Sequence, residues 1–311
     1  MDKPQYKKKP IGYVDSLAKA LSAERDHLIR VANDADSFYR LHKRIEKPDG
    51  TFREIYDARY PLKLFQRRIN RKLISRVDFP QYLHAVKHRS HITAASKHNI
   101  PLLLLNLDIS NFFPSISSEL VFDIWRLFFR FPKHVSQMLT KLTTYNGFLP
   151  QGAPTSPGLA NLAFWDIESK LVEGMNAKGF VYTRFVDDVT ISSERKVQMD
   201  ELAPIIASIF GMFRNRGVKA NRNKIHISTS GHEMLVHNLN INSGVPTIPK
   251  RERGRIRAAV KDCEITYTEI IQTEVYKKLW HSTLGRVNYL NHFHPTEAQK
   301  YHQRLQAVRP S

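Results

Sequence analysis

Cysteine and long hydrophobic runs are almost absent from the sequence. Cys263 is the only cysteine among 311 residues, which excludes an internal disulfide and a zinc site built from several thiolates. The longest apolar run, residues 100–105, is far shorter than the roughly 20 residues of a membrane-spanning helix. The opening residues "MDKPQYKKKP" are charged and contain proline where a secretory signal has an apolar segment. We therefore expect a cytoplasmic protein that has no membrane as its partner.

Acidic residues are also scarce compared with basic ones. The chain has 48 Lys and Arg against 29 Asp and Glu, which gives a formal net charge of +19. Such an excess favours a polyanionic partner, with nucleic acid ahead of an anionic membrane. Hydrophobic residues make up 41% of the chain, enough for a substantial core in one large domain or two smaller ones.

The pattern along the chain changes twice, and no internal repeat is evident. Residues 1–37 form a basic and helical lead-in, whose arm Lys7–Lys9 we expect to be a solvated, frayed terminus. Residues 38–244 hold the main body, which begins with a predicted basic hairpin around Pro48-Asp49-Gly50. Residues 245–311 begin within the linker "NSGVPTIPK", which supports a boundary near Ile248, and are predicted to form a separate helical and basic part.

The main body contains an alternating order of strands and helices. "PLLLLNLDIS" predicts a buried strand that ends near Asp108, and "ELVFDIWRLFFRF" predicts the helix after it. "GFVYTRF" and "VTISS" predict a hairpin around Asp187 and Asp188, followed by the helix "PIIASIFGMFRNRG" and the strand "KIHIST". Apart from the segment between Leu142 and Lys178, this is the β-α-β-β-α-β order of an α+β, ferredoxin-like fold. Because its first and third strands are neighbours, Asp108 is expected to lie near the Asp187-Asp188 turn.

Three carboxylates brought together repel one another unless a cation lies between them. Mg²⁺ prefers oxygen ligands and commonly binds one or two carboxylates together with substrate phosphates. Asp108, Asp187 and Asp188 therefore suggest a divalent-metal site, although a solvated turn is the usual place for an Asp-Asp pair. Asp166 lies on the predicted helix "ANLAFWDIESKL", where we expect an exposed or capping role.

Four blocks of sequence occur in an order that resembles the reverse transcriptases. They are "LDISNFFPS", "LPQGAPTSPGLAN", "YTRFVDDVTIS" and "GVKANRNKIHIS", and with "GTFREIYD" the likeness runs from about Phe38 to Ile241. The compact retron type is most similar, although Ala94 and Val236-His237-Asn238 depart from its signature positions. The resemblance implies a right-hand polymerase with fingers and palm in residues 38–244 and a helical, basic thumb in residues 245–311.

The resemblance also implies roles for individual residues. Asp108, Asp187 and Asp188 would be catalytic and would hold two Mg²⁺ ions, with Mn²⁺ as a possible substitute, and the Ile109 carbonyl would complete one metal shell. Phe113 would be a steric gate against the 2′-hydroxyl of a ribonucleotide, or else a core side chain.

Further binding residues follow from the same likeness. The nucleotide would be bound by Lys47, Arg53, Gln151 and Lys224, and the RNA or DNA backbone by Lys250, Arg251, Arg253, Arg255 and Arg257. Tyr276, Trp280 and Tyr289 would either stack on RNA bases or lie in the core. We expect no zinc site at His84, His88 and His91, which we assign to RNA contact or to the surface.

The implied function is that of a retron's RNA-directed DNA polymerase. Such an enzyme uses deoxynucleoside triphosphates to copy part of its own structured noncoding RNA from a 2′-hydroxyl, which gives a branched RNA–DNA hybrid, msDNA. It serves in antiphage defence with a separate effector protein. The alternatives are another bacterial reverse transcriptase, either group II intron-like or defence-associated, and a catalytically inactive RNA-binding module.

Overall fold

The computed structural model describes residues 2–47, 50–269 and 273–310. The predicted turn residues Pro48 and Asp49 lie outside these ranges, as do residues 270–272 of a predicted helix. Two compact units are present. The first combines Leu102–Ile227 with the residues up to Ala94, and the second combines Ala95–Pro101 with the residues from Ser228 onward. The functional division after residues 37 and 244 stays a prediction.

Among the described residues up to Thr229 there are ten α-helices and ten strands. The helices are α1 (Val14–Ala20), α2 (Arg25–Asn33), α3 (Leu62–Lys72), α4 (His91–Ala95), α5 (Phe112–Ser115), α6 (Ser118–Asp123), α7 (Lys133–Thr143), α8 (Ser156–Asn161), α9 (Glu168–Asn176) and α10 (Met199–Arg214). The strands are β1 (Gln5–Tyr6), β2 (Tyr39–Glu46), β3 (Phe52–Ala58), β4 (Val77–Asp78), β5 (Leu83–His84), β6 (Leu103–Ser110), β7 (Phe180–Phe185), β8 (Asp188–Ser193), β9 (Lys219–Ala220) and β10 (His226–Thr229).

The main sheet has the strand order β10-β6-β8-β7-β5, and β9 also pairs with β6. Four of these strands, β6, β7, β8 and β10, have the arrangement predicted from the β-α-β-β-α-β order, with the first and third side by side. The antiparallel register of β6 and β8 runs from Leu103 opposite Ser193 to Asp108 opposite Asp188. β5 adds a short parallel strand beside β7. The predicted ferredoxin-like core is therefore confirmed.

A long hairpin of β2 and β3 lies apart from the main sheet. Its register runs from Tyr39 opposite Ala58 to Glu46 opposite Phe52, so the predicted basic hairpin is confirmed as a strand pair. Tyr56 on β3 donates its backbone N–H to the Gln151 carbonyl at 2.8 Å. This bond fixes the hairpin against the loop that precedes α8.

The helix predicted for "ANLAFWDIESKL" is interrupted. Helix α8 ends at Asn161, a series of turns follows, and α9 begins only at Glu168. Asp166 lies in the turns and forms an ion pair with Arg216. At the start of α9, Glu168 is buried and binds Arg184 of β7.

The second unit contains a two-stranded hairpin and three helices. They are β11 (Leu235–Val236), β12 (Leu239–Asn240), α11 (Lys250–Glu269), α12 (Glu274–Asn291) and α13 (Pro295–Ala307). Trp280 is buried and donates its indole N–H to the Leu305 carbonyl at 3.0 Å, and Tyr276 is fully buried. Base stacking by these two aromatic residues is therefore wrong, since both belong to the core. Tyr289 is half-buried with its ring 5.3 Å from that of Phe293.

None of the helices in the described ranges is both long enough and apolar enough to cross a membrane.

Candidate active site

Three carboxylates meet at one end of the central strands. Asp108 lies near the end of β6 directly opposite Asp188, the first residue of β8. Asp187 occupies the turn before β8, and its carbonyl accepts the backbone N–H of Ile109 at 3.0 Å. The adjacency that the strand order predicted is confirmed. Residues 80 positions apart in sequence thus share one edge because β6 and β8 are paired.

The turn that carries Asp187 has an unfavourable backbone. Phe185 pairs with Asp188, so only Val186 and Asp187 connect β7 to β8. Val186 has a φ of +58°, a left-handed conformation that a β-branched residue rarely adopts. At the first central position of a two-residue hairpin turn, such a φ is usually taken by glycine. Contacts from outside the turn must therefore hold this conformation.

A buried arginine supplies one such contact. Arg184 is fully buried on β7 and donates from Nη1 to the Val186 carbonyl at 3.0 Å. Its Nε and Nη2 donate to the two carboxylate oxygens of Glu168 at 2.6 and 2.8 Å, and Nη2 also donates to the Asn161 carbonyl at 3.0 Å. Tyr182 donates its hydroxyl to Glu168 at 2.7 Å. The start of α9 and the turn at Val186 and Asp187 are therefore joined through the ion pair of Arg184 with Glu168.

Sequence reasoning missed this network. The available signal was an arginine inside a predicted strand, two residues after Tyr182 and so on the same face of the strand. Its partner could not be identified from sequence, because Glu168 reaches β7 only where the predicted helix is broken.

The three carboxylates repel one another in the chain alone. Burial raises the pKa of Asp187 to about 6, and the negative charges of Asp188 and Asp108 add to the rise. The positive charge of Arg53 acts in the opposite direction on the same pKa. Arg53 lies on the hairpin strand β3, so the predicted nucleotide-binding arginine is electrostatically coupled to the carboxylates.

Two lysines lie near the end of β6. Lys224 places its Nζ 3.0 Å from the Asp108 carboxylate, so it is paired with an acid in this structure. Lys47 donates from Nζ to the Asn111 side-chain oxygen at 2.7 Å. Asn111 directly follows β6, so both lysines belong to the same end of the sheet as Asp108.

The loop before α8 passes close to the long hairpin. Gly152 has a φ of +113°, and a Cβ at this position would lie 2.4 Å from the Tyr56 carbonyl oxygen. Only glycine therefore fits beside β3 without moving backbone. Gln151 is half-buried in the same loop, and helix α8 begins at Ser156.

Phe113 lies just beyond β6 in the short helix α5. It is half-buried and its ring centroid is 6.1 Å from that of Phe112, which is buried and stacks on Phe164. The core position therefore belongs to Phe112, and Phe113 keeps an exposed portion at the carboxylate end of the strand.

The carboxylates fit a divalent cation that is completed by a substrate. Among the described residues, no three Asp, Glu, His or Cys side chains form a ready-made metal cage. Mg²⁺ does not need one, since it commonly uses one or two carboxylates with substrate phosphates and water. Burial raises the pKa of Asp187, the charges of Asp188 and Asp108 raise it further, and a bound cation would oppose these effects. The all-oxygen chemistry of the carboxylates therefore matches a hard divalent ion.

One of the three histidines that were assigned to RNA contact or to the surface is instead buried. His84 is buried, with Nδ1 2.9 Å from the Thr93 hydroxyl, so its assignment to RNA contact or the surface is wrong.

Two of the five predicted backbone-binding cations on α11 are paired with acids. Arg253 binds Glu297 at 2.6 to 2.8 Å, and Arg255 binds Glu252 at 3.0 Å. The exposed cations of this predicted backbone-binding group include Lys250, Arg251 and Arg257.

The fold and the paired carboxylates define the palm of a right-hand nucleic-acid polymerase. A family model described as reverse transcriptase (RNA-dependent DNA polymerase) matches residues 45–279. The retron Se72 reverse transcriptase of Salmonella heidelberg is 31% identical over 100% of this chain and 83% of its own. The retron Ec48 reverse transcriptase of Escherichia coli is 30% identical over 97% of this chain and 77% of its own.

The fold is also similar to a solved polymerase structure. Apo telomerase from Candida tropicalis matches with a TM-score of 0.51 and 11% identity, over 86% of this chain and 55% of the telomerase chain. At this identity the likeness shows the right-hand fold alone. The chain belongs to the reverse transcriptase family and is of the retron type. It is thus an RNA-directed DNA polymerase that takes an RNA template and deoxynucleoside triphosphates and depends on a divalent metal.

Proposed function

We propose that Asp108, Asp187 and Asp188 carry out DNA synthesis by this chain. The observation that supports the assignment most strongly is the register of β6 and β8, which sets Asp108 opposite Asp188 beside the Asp187 turn. These residues would hold two Mg²⁺ ions, or Mn²⁺ in their place, with help from the Ile109 carbonyl. When bound, such ions activate an attacking hydroxyl and stabilise the leaving pyrophosphate.

The incoming nucleotide would be bound by residues around the same edge. Arg53 and Lys47 supply a planar fork and a point charge for the triphosphate. Lys224, which pairs with Asp108 in the chain alone, has a second anionic partner once a triphosphate enters. Gln151 lies in the loop that contacts the hairpin and would position the base pair.

Phe113 is assigned as the gate against ribonucleotides. Its half-buried ring lies beyond the end of β6, where it can contact the sugar. Phe113→Ala is expected to lower discrimination between deoxyribonucleotides and ribonucleotides at least about 10-fold, as removal of a steric contact permits. Competitive incorporation on one template measures the ratio. An unchanged ratio in a folded variant would mean that Phe113 is only a packing residue.

Residues 245–311 would form the thumb and residues 38–244 the fingers and palm, after the lead-in of residues 1–37. Lys250, Arg251 and Arg257 would contact phosphates of the template–primer duplex without reading bases. Arg253 and Arg255 are bound to carboxylates of their own unit, so they would contribute less to this contact.

The retron relatives support a more specific role. We propose that the chain copies part of its own structured noncoding RNA from a 2′-hydroxyl primer and makes a branched RNA–DNA hybrid, msDNA. It would act in antiphage defence together with a separate effector protein. The names of the two relatives, which cover most of the chain, support this assignment.

Primer extension on an RNA template tests the catalytic assignment. Asp187→Asn and Asp188→Asn are each expected to reduce kcat by more than about 100-fold, since even outer-shell changes at metal sites cost 10 to 100-fold. The matched control is Asp166→Asn, because Asp166 lies in the turns before α9, forms an ion pair with Arg216 and is not one of the proposed metal ligands. Incorporation that survives in the Asp187 and Asp188 variants would overturn the metal-dependent assignment.

Sequencing of the nucleic acid that copurifies with the protein tests the retron role. The expected product is DNA attached to RNA by a 2′,5′ branch, which a debranching enzyme releases. Linear DNA alone would favour another bacterial reverse transcriptase, and RNA without DNA would favour an inactive RNA-binding module.

A further inference from the structure

The basic N-terminal arm is held in a fixed position. Gln5 and Tyr6 form strand β1, which pairs with Asp78 and Val77 of β4. The Tyr6 ring is 7% exposed and lies edge-on to Phe129, with 4.6 Å between the ring centroids. Lys7 forms an ion pair with Asp78 at 2.8 Å. The expectation of a frayed terminus is therefore wrong, since backbone pairing and a buried aromatic anchor fix the arm.

Beside this arm lies a concavity of about 480 Å³, here called the basic concavity. Its floor includes Tyr6, Ile11 and Leu73, and its rim carries four cations with no carboxylate among the lining residues. The cations are Lys8, Lys19, Lys72 and Arg76. All four side chains are exposed, and no ion pair with an acid is formed by any of them within the described residues.

Local structure accounts for only part of this charge. Lys19 lies in the last turn of α1 and Lys72 in the last turn of α3, where cations favour the negative end of a helix. Each helix end carries at most about half a negative charge, so two ends offset roughly one of the four positive charges. About three positive charges converge on one preformed site without a counter-charge from the protein.

A scatter of solvated lysines is the alternative in a chain with a net charge of +19. Three features distinguish the basic concavity from such a scatter. The cations come from three separate segments of the sequence, they share one depression, and the ordered arm fixes the position of Lys8. The site is therefore built by the fold rather than by a local run of basic residues.

We propose that the basic concavity binds the phosphate backbone of a structured RNA at a place outside the polymerising site. The choice of RNA rests on the proposed function, whereas the preference for phosphates rests on the charges alone. Lys and Arg contacts to phosphates position a nucleic acid without reading its sequence. The apolar lining residues are buried or half-buried, so the concavity offers no exposed apolar side chain for insertion into a membrane. The four cations therefore anchor a part of the RNA that is not being copied.

Salt-dependent binding of an RNA hairpin tests the proposal. The probe is a fluorescein-labelled hairpin of arbitrary sequence, titrated over a series of KCl concentrations. The test variant is Lys8→Gln/Lys19→Gln/Lys72→Gln/Arg76→Gln. The matched control is Lys133→Gln/Lys170→Gln/Lys196→Gln/Arg214→Gln, which removes the same charges from exposed residues elsewhere in the first unit.

The expected result is a change in the salt dependence of binding. The slope of log K against log salt is negative, and each lost phosphate contact reduces its magnitude by about 0.7 to 0.9. The slope of the test variant should therefore be smaller in magnitude by roughly 3. The control variant should lose less than about 1. Equal slopes for the two variants would overturn the proposal. Thermal unfolding of both variants confirms that each is folded.

Two further readouts separate the possible failures. Acetylation of Lys8, Lys19 and Lys72 in the unaltered protein should be slowed by the hairpin, while equal rates with and without RNA would count against the site. If the test variant loses binding to anionic lipid vesicles but keeps the RNA binding of the unaltered protein, the concavity binds a membrane surface instead of RNA and the proposal is overturned. If the unaltered protein fails to extend a primer, the proposed polymerase function fails, but the slopes still report on the concavity.

Discussion

The buried pair of Arg184 and Glu168 is expected to position the catalytic turn. Arg184→Met leaves the Glu168 carboxylate buried without its partner. Removing one member of a buried ion pair costs about 3 to 5 kcal/mol, a large part of the roughly 5 to 15 kcal/mol that stabilises a typical domain. This variant alone cannot separate a positioning role from a structural one, because loss of folding also abolishes activity.

A triple apolar variant makes that separation. Arg184→Met/Glu168→Leu/Tyr182→Phe removes both charges and the hydroxyl that donates to Glu168. Replacing a buried ion pair by apolar side chains of similar volume is often neutral or stabilising, so stability should stay within about 2 kcal/mol of the parent. The Val186 carbonyl nevertheless loses the donor that supported its left-handed backbone.

The expected effect of the triple variant is on kcat. A strained backbone position of this kind costs about 1 to 3 kcal/mol and persists only where surrounding contacts hold it. Once it relaxes, the Asp187 carboxylate shifts, and a displacement of about 1 Å can reduce a rate roughly 100-fold. The KM for the nucleotide should change little, since Arg53 and Lys47 lie on other elements.

Urea unfolding and steady-state primer extension measure the two effects separately. The matched control is Arg195→Met, which breaks the exposed pair of Arg195 with Glu201 next to β8. This variant should keep the parental kcat and should change stability only slightly. A triple variant that is stable and has the parental kcat would refute the positioning role. A rise in KM at unchanged kcat would also refute it.

Two further predictions concern the contacts of the long hairpin. Gly152→Ala places a Cβ 2.4 Å from the Tyr56 carbonyl, so it should destabilise the chain by more than about 1 kcal/mol and lower activity, whereas Gly174→Ala has open space and should be neutral or stabilising. The hydrogen bond from Lys63 holds the pKa of Asp57 below its usual value. The pair therefore stabilises the fold at any pH above about 3.9, the pKa of the carboxyl in the unfolded chain. This stabilisation is lost as the pH falls through the lowered pKa of the folded state. Asp57→Asn should therefore lower the free energy of unfolding by roughly 0.5 kcal/mol at pH 7 and not at all in strong acid. Urea unfolding at both pH values measures this. A difference between variant and parent that is the same at both pH values would contradict the assignment.

The sequence predicted the convergence of the carboxylates because topology decides it. Once β6, β7, β8 and β10 are recognised with their intervening helices, the pairing of the first and third strands follows. Asp108 and Asp188 then meet because each lies at the same end of its strand. The helical character of residues 274–291 and 295–307 was equally accessible from the local pattern, since a helix depends on neighbours in sequence.

Contacts between distant residues were beyond such reasoning. Tyr6 pairs with Val77 across some 70 residues, and no local pattern distinguishes this arm from a solvated terminus. Tyr276 and Trp280 have the spacing of either a core or a base-stacking surface, and only the packing of α12 against Leu305 decides between them. Pairing at long range is specified by the whole fold rather than by any one segment.

The opposite case is the turn at Val186 and Asp187, where local rules give the wrong residues for the structure that forms. Turn chemistry favours glycine where Val186 has a φ of +58°, and charge repulsion disfavours Asp187 beside Asp188. Two unfavourable choices at one turn persist only if contacts from elsewhere outweigh them. Arg184 supplies the backbone contact, and a divalent cation with its substrate would supply the missing positive charge. The local conflict and its compensation from elsewhere therefore support the proposed catalytic role of the turn more strongly than the presence of two aspartates does.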